Sequence, residues 1–538
     1  MKTLRFLVAV ATLGGGLALR AAPPAPASVE NKAAARAEFE KARGLFSSDI
    51  NGSVAGLRRA IDLDPDYADG HQYFILYSNI AATRSPGLSD DEKKAAGQKT
   101  RAATLALYEQ WVKEQPERAI YHYALGNLFE YEDPDRAVRH FETAVKLDPK
   151  CGAAYRMLAI CAEVRGQLEQ SRNYLRLAVE AEPDNPAMWR SYVAEHRETD
   201  INQGIALGLE MAKKFPDEAA SIIGYLATRQ RNEAKAREIY ELLREKFPKA
   251  AASSLTGLFS IYLRTDPAKA LPLAQEMIAL VPDNKQWPVL ASYAQAVLAA
   301  DGLIAAGQGA EALAAVEKIS LPRYGADRRM LDLTTAKALA ASDTPQKAYD
   351  YLLAQTAKTP TDETLAALKR YGSQIGKSAT AVDAEIMAQR IAAAKPAVPF
   401  TLVNYVTGKP VSLDDYKGRV VMVNFWYPMC GPCRGEFPFL QAVLEKYRDR
   451  GFEILAINGH APEDHMVMPL LKGWKLDFLP LKSDGGAVDK NYKVRGYPAN
   501  FLYGPDGKIY YEPPPVSTLS AQRELELQIE ALLAQTKI

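Results

Sequence analysis

Cysteine is scarce in this chain, with four in 538 residues. So few exclude a disulfide-stapled scaffold, and any role they have must be local. Charge of one sign is also lacking. Lys and Arg number 66 against 65 Asp and Glu, a formal net charge of +1. No broad basic field exists to attract nucleic acid or an anionic membrane. After the N-terminal segment no stretch reads as long and apolar enough to cross a bilayer, which takes about 20 residues. The composition that remains, 48% hydrophobic and 24% charged, is that of soluble globular protein. The chain is too long for one core, since single cores stop growing at roughly 250–300 residues.

The first residues read as an address. "MKTLR" is a short basic start, "FLVAVATLGGGLAL" an apolar core, and "RAAPPAPAS" a small-residue region with Ala25-Pro26-Ala27 as a cleavage site. Residues 1–27 are therefore expected to be a signal peptide, the plainer alternative being an uncleaved N-terminal anchor. No cysteine lies near the cut to carry a lipid. Either way the bulk of the chain is expected in the periplasm or otherwise exported, where thiols can oxidise.

From about residue 31 the sequence repeats. Pro65, Pro116, Pro149, Pro183, Pro216, Pro248 and Pro282 each close a helical run, and from Pro116 onward they recur every 32 to 34 residues. The longer first gap leaves room for a loop, "TRSPGLSDDEKKAAGQ". Small and large residues alternate ahead of the prolines, as in Gly126, Ala137, Phe141 and Ala144 before Pro149. Small residues let two helices approach, the large residue fills the gap, and proline ends the second helix because it lacks an N–H and clashes with the turn before it. The pattern resembles tetratricopeptide repeats over residues 31–290. Residues 291–395 continue less regularly, as further helical hairpins and a linker. Solenoids of this kind present a surface to a partner protein; the plainer reading is that they only position the C-terminal domain. Cys151 and Cys161 fall on one predicted helix, ten residues and about 15 Å apart, too far to pair. Both read as small buried apolar residues.

The pattern changes at "AAAKPAVPFTLVN". "FTLVNYVTGKPVSL" reads as a hairpin turning at Thr407-Gly408, and "RVVMVNFWY" and "FEILAIN" as buried strands. "GPCRGEFPFLQAVLEKYRDR" reads as a helix kinked at Pro438, and "EDHMVMPLLKGW" as a helix. "PANFLYGPDGKIYYE" reads as a hairpin around Asp506-Gly507, and "LSAQRELELQIEALLAQ" as a closing helix capped by Ser517 or Ser520.

Within this order "VVMVNFWYPMCGPCRGEFP" resembles the thioredoxin superfamily, and most nearly the exported thiol-disulfide reductases of the TlpA type, many of which serve cytochrome c maturation. The matching residues are Asn424, Phe425, Trp426, Cys430, Gly431, Pro432, Cys433, Glu436 and Pro438, supported by "VRGYPANFLYGPDGKI" further on. The expected architecture is multidomain, an all-α tetratricopeptide solenoid followed by an α/β thioredoxin-like domain over residues 396–538.

A cysteine at a helix N-terminus meets unpaired N–H groups and the positive end of the helix dipole, which favour the thiolate. Cys430 is thus expected to be the nucleophile and Cys433, one turn deeper and less accessible, the resolving thiol that closes a Cys430–Cys433 disulfide. The resemblance implies a cis peptide at Tyr497-Pro498 facing the cysteines, with Tyr497, Pro498, Trp426 and Met429 against the substrate. Met429 stands where the family carries tryptophan, and Ala499 where threonine is common. Asn424 replaces the buried acid of thioredoxins, and Ala461 falls where exported relatives carry a loop glutamate. Glu463 or His460 is then a candidate to accept the proton of Cys433. The plainer readings are a helix-terminus charge for Glu463 and a solvated loop residue for His460.

One CxxC supplies two of the four ligands zinc needs, and a haem site would want His where Arg434 stands. No metal and no cofactor is expected. The function read from the sequence is an exported thiol-disulfide oxidoreductase reducing disulfides of envelope proteins. It would draw on a membrane or periplasmic electron donor, with a protein partner on the repeats and no nucleic acid. The alternative is an interaction scaffold with a regulatory, redox-sensing CxxC pair.

Overall fold

The computed structural model describes residues 28–84, 87–130, 132–197, 200–230, 232–321 and 327–537. The expected signal peptide, residues 1–27, lies outside them. The chain forms two compact units, one up to Glu163 together with Gln167–Met188, the other Val164–Gly166 together with everything from Trp189 onward.

The first unit is helical. Four of its helices end at Leu63, Glu114, Leu147 and Ala181, each two residues before a repeat proline. The residue between has left the helical region every time, with φ −135° at Asp64, −136° at Gln115, −132° at Asp148 and −130° at Glu182. Proline disfavours the helical conformation in the residue before it. A Cβ on Gly126 would lie 2.3 Å from the Phe141 ring, so the small residue is what lets these two helices meet. The extra length in the first gap is mostly not loop. Ser89 caps a 25-residue helix, Asp90–Glu114, through a capping box with Glu92. Cys151 precedes the helix Gly152–Val164 and is not on it. It is buried as expected, whereas Cys161 is half-buried, and the two do not pair.

The second unit continues with helices from Ile201–Met211 to Ala379–Ala393. Pro216 departs from the repeat rule, since it opens the helix Pro216–Thr228 and closes none. A first-turn residue has no intrahelical N–H bond to lose, so proline fits there. The helix Gln286–Ala305 runs across residue 290. Among the described residues it alone is long and apolar enough to cross a membrane by length and composition, contrary to the expectation that no such stretch exists. Trp287, Tyr293 and Val297 on it are buried among neighbouring helices.

The strands of the second unit are β1 (Thr401–Asn404), β2 (Pro410–Ser412), β3 (Val420–Trp426), β4 (Phe452–Asn458), β5 (Leu479–Lys482), β6 (Ala499–Tyr503) and β7 (Ile509–Tyr511). They form one sheet in the order β2-β1-β5-β4-β3-β6-β7. β3, β4 and β5 run parallel, and β6 returns antiparallel beside β3. Both expected hairpins form, with Gly408 and Gly507 at positive φ in their turns. Strand β5 and the short helix Ala487–Asn491 carry no clear sequence signal; Pro480 inside "LPLK" argues against a strand.

Strand β3 is buried on both faces and sorts its residues by parity. Val421, Val423 and Phe425 enter one core cluster. Val420, Met422 and Trp426 enter the other, beneath the helices Gly431–Tyr447, Asp464–Gly473 and Leu519–Leu533. The helix Gly431–Tyr447 is continuous through Pro438. The last helix is capped by Thr518, whose Oγ1 accepts from the Ala521 N–H at 3.2 Å, and not by Ser517 or Ser520. Within this unit Arg523 joins Asp362 of the preceding helices by two bonds of 2.8 and 2.9 Å.

Candidate active site

Strand β3 ends at Trp426, and five residues later the chain enters the helix Gly431–Tyr447. Cys430 is the N-cap of that helix, with Pro432 in its first turn. The N–H of Cys433 donates to Cys430 Sγ at 3.1 Å. The sulfur therefore occupies the place a serine oxygen takes in an ordinary cap. Cys430 and Cys433 are disulfide-bonded, with Cα atoms 5.2 Å apart. Cys433 is buried as expected, but so is Cys430, at 3% exposure. Arg434 Nη1 donates to Pro428 O at 2.7 Å and closes the loop from behind.

The Tyr497–Pro498 peptide is cis. Tyr497 is half-buried and packs edge-on against Tyr427, ring centres 5.3 Å apart. Its hydroxyl donates to the Asp489 carboxylate and reaches Gly459 O at 3.4 Å. Burial raises the Asp489 carboxyl and holds the Tyr497 hydroxyl protonated. A Cβ on Gly459 would lie 2.3 Å from the Tyr497 hydroxyl oxygen.

Trp426 is fully buried, edge-on to Phe437 at 5.1 Å. Its place against substrate is thus corrected. By strand parity it points into the core with Met422, whereas Met429, half-buried in the loop, stays near the surface.

Glu463 is the N-cap residue of the helix Asp464–Gly473 but does not cap it. Its side chain, 1% exposed, turns inward. Oε2 accepts from the Met429 N–H at 2.7 Å and Oε1 pairs with His460 Nδ1 at 2.9 Å. The carboxylate thus holds the residue before Cys430. The His460 ring is half-exposed and lies beside Tyr427 at 5.7 Å.

A second buried carboxyl lies under the helix. Glu436 Oε1 accepts from Asn424 Nδ2 at 2.7 Å. Its Oε2 accepts from Asn500 Nδ2 at 3.2 Å and from the Val516 N–H at 3.1 Å. Burial pushes this carboxyl up to about 7, against the pull of its three hydrogen bonds. In the sequence Glu436 stands only as a family match without a role. Its signal is its place one turn after Cys433, on the helix face that meets Asn424. Among the described residues no cluster of three or more His, Cys, Asp or Glu side chains could hold a metal.

Residues 393–512 match the AhpC/TSA family and residues 128–192 match the tetratricopeptide repeat. The thiol-disulfide oxidoreductase ResA of Bacillus thuringiensis subsp. konkukian is 35% identical over 114 residues, 21% of this chain and 65% of that protein. ResA of Bacillus subtilis is 32% identical over 112 residues, 21% of this chain and 62% of that protein. The chain thus spans just under two thirds of the length of these relatives. A solved secreted disulfide oxidoreductase of Mycobacterium tuberculosis, homologous to E. coli DsbE, is 26% identical, covering 25% of this chain and 96% of that one, with a TM-score of 0.22.

Proposed function

We propose that this chain, whose C-terminal region is a thioredoxin-like domain of the AhpC/TSA family behind tetratricopeptide repeats, is an exported thiol-disulfide oxidoreductase that reduces disulfides of envelope proteins. The observation that carries this is the Cys430–Cys433 pair, with Cys430 Sγ as the cap of a helix.

In the reduced protein the Cys430 thiolate attacks one sulfur of a substrate disulfide. A mixed disulfide forms and the other substrate sulfur leaves as thiolate. Cys433, deprotonated, attacks Cys430 Sγ. The mixed disulfide breaks and the substrate leaves with both sulfurs reduced. Its two electrons have come from the two cysteine sulfurs, now bonded to each other. A membrane or periplasmic donor returns two electrons. Backbone groups of Tyr497, beside Pro498 and Met429, pair with an extended substrate segment.

Glu436 suits the proton of Cys433 better than Glu463 or His460. It lies one turn further along the same helix and titrates near neutrality, as a general base at neutral pH should. Glu463 and His460 are assigned to holding the Met429 loop. The repeat unit binds a partner or substrate protein, and a role in cytochrome c maturation accords with the resemblance.

Insulin reduction tests the reading. Wild type should turn over with dithiothreitol, Cys430→Ser should not, and Cys433→Ser should accumulate mixed disulfides through Cys430. Equal activity of wild type and Cys430→Ser removes the enzymatic reading.

A further inference from the structure

A cavity of about 330 Å³ lies within the second unit, and none of the residues described at the active site lines it. It is bounded by strand β7, by the ends of the helices Pro345–Lys358 and Ala379–Ala393, and by the helix Leu519–Leu533. Its volume is at the lower end of small-molecule sites, roughly 300–1,000 Å³.

Arg390 lines this cavity and is 9% exposed. An arginine stays protonated when buried, and a buried one is ordinarily paired with a carboxylate. Arg390 makes no ion pair among the described residues, and its Nε has no hydrogen-bond partner. Tyr511 meets it instead, with the guanidinium carbon 4.0 Å from the centre of the ring. Lys358, exposed at the end of its helix, lines the cavity as a second cation.

Two carboxyls line the same cavity, and neither answers Arg390. Glu512 pairs with Lys395. Glu524 is pushed up to about 7 by burial, and the charges acting on it are those of Arg329 and Asp327. Both Arg390 and Glu524 act on the Tyr511 hydroxyl, so this tyrosine stands between a cation and a carboxyl. Beside that carboxyl, Gln528 is 2% exposed. Its Nε2 donates to Glu524 Oε1 at 3.2 Å, while its own Oε1 has no partner. Buried amide oxygens are almost always satisfied, and what this one lacks is a donor.

The lining therefore presents unneutralised positive charge together with an unfilled acceptor next to a carboxyl. A simple oxyanion would answer the cations but leave the amide oxygen bare, and Glu512 and Glu524 would repel it. A molecule with both a carboxylate and a protonated amine answers both needs. We propose that this cavity is a binding site for a small zwitterion of the amino-acid class, its carboxylate held by Arg390 and Lys358 and its ammonium donating to Gln528 Oε1 beside Glu524. The site is separate from the cysteine pair and does not rest on the oxidoreductase reading.

Equilibrium dialysis of the full chain against a mixture of radiolabelled L-amino acids tests it. Acetate, inorganic phosphate and methylamine, which each carry charge of one sign only, are the comparison probes. The protein should retain label from the amino-acid mixture and at least about tenfold less of each comparison probe. Arg390→Met should weaken retention by about tenfold or more. Lys358→Gln, at an exposed position, and Gln528→Met, which removes the acceptor, should weaken it in the same direction. They carry the test where the Arg390 variant does not fold. Failure to retain any amino acid overturns the proposal. So does wild-type retention in the folded variants, or phosphate or acetate held as well as the mixture.

Discussion

The backbone N–H of Cys433 donates to Cys430 Sγ at 3.1 Å, so the first sulfur closes the helix that holds the second. Once the disulfide is reduced, the same N–H faces a sulfur that can carry charge. The thiol of Cys430 should therefore ionise below an ordinary thiol, near 8.5. Burial pushes Cys151 the other way, up to about 12. Iodoacetamide at pH 6.5, applied after reduction and mapped by mass spectrometry, should modify Cys430 at least roughly tenfold faster than Cys151. Equal rates would count against a cap that activates the sulfur.

Glu463→Ala should loosen the nucleophile's loop. It strips the acceptor from the Met429 N–H and from His460 Nδ1. The half-exposed His460 ring can turn to water, but leaving the part-buried Met429 N–H unpaired costs about 1–3 kcal/mol. A fall in stability of that size is expected in urea titration, with slower insulin reduction. An unchanged variant would show that the carboxylate holds nothing.

Glu436 makes stability depend on pH in the less common direction for a carboxyl. Its folded value, about 7, lies above its ordinary 4.5. Between those values the folded state holds more protons than the unfolded one. Stability is thus full below about pH 4.5 and is lost as pH rises towards 7 and beyond. A rise of this size corresponds to about 3 kcal/mol. Urea midpoints taken from pH 5 to 8 should fall in wild type and fall less in Glu436→Gln. Glu524, which burial also pushes up to about 7, should supply the remaining slope. Parallel pH profiles for the two proteins would contradict this placement.

Gly126→Ala tests the repeat rule in the first unit. The added methyl meets the Phe141 ring at 2.3 Å, inside any tolerable contact. Overpacking of this kind costs about 1–3 kcal/mol. A lower melting temperature is expected, and an unchanged one would mean that the hairpin does not close on that glycine.

Much of the site is legible in the sequence because its signals are local. Cys430-Gly431-Pro432-Cys433 sits where a strand pattern meets a helix pattern, and helix capping follows from that junction alone. Trp426 misleads because its surroundings are not local. Only the parity of β3 against the sheet turns it into the core. Glu463 likewise reads as a surface charge at a helix start until the fold brings Met429 above it. Pro480 hides β5, because a proline in a strand is tolerable only when the neighbouring strands do not need its N–H.

Periodicity and proline spacing dictated most of the helical hairpins, and short apolar runs and turn residues dictated the strands other than β5. Both depend on which residues neighbour one another along the chain. The raised carboxyl of Glu436 and the hold of Glu463 on the Met429 N–H had no such determinant. They arise where segments distant in sequence exclude water from a charge, and desolvation exists only once the chain has closed around it.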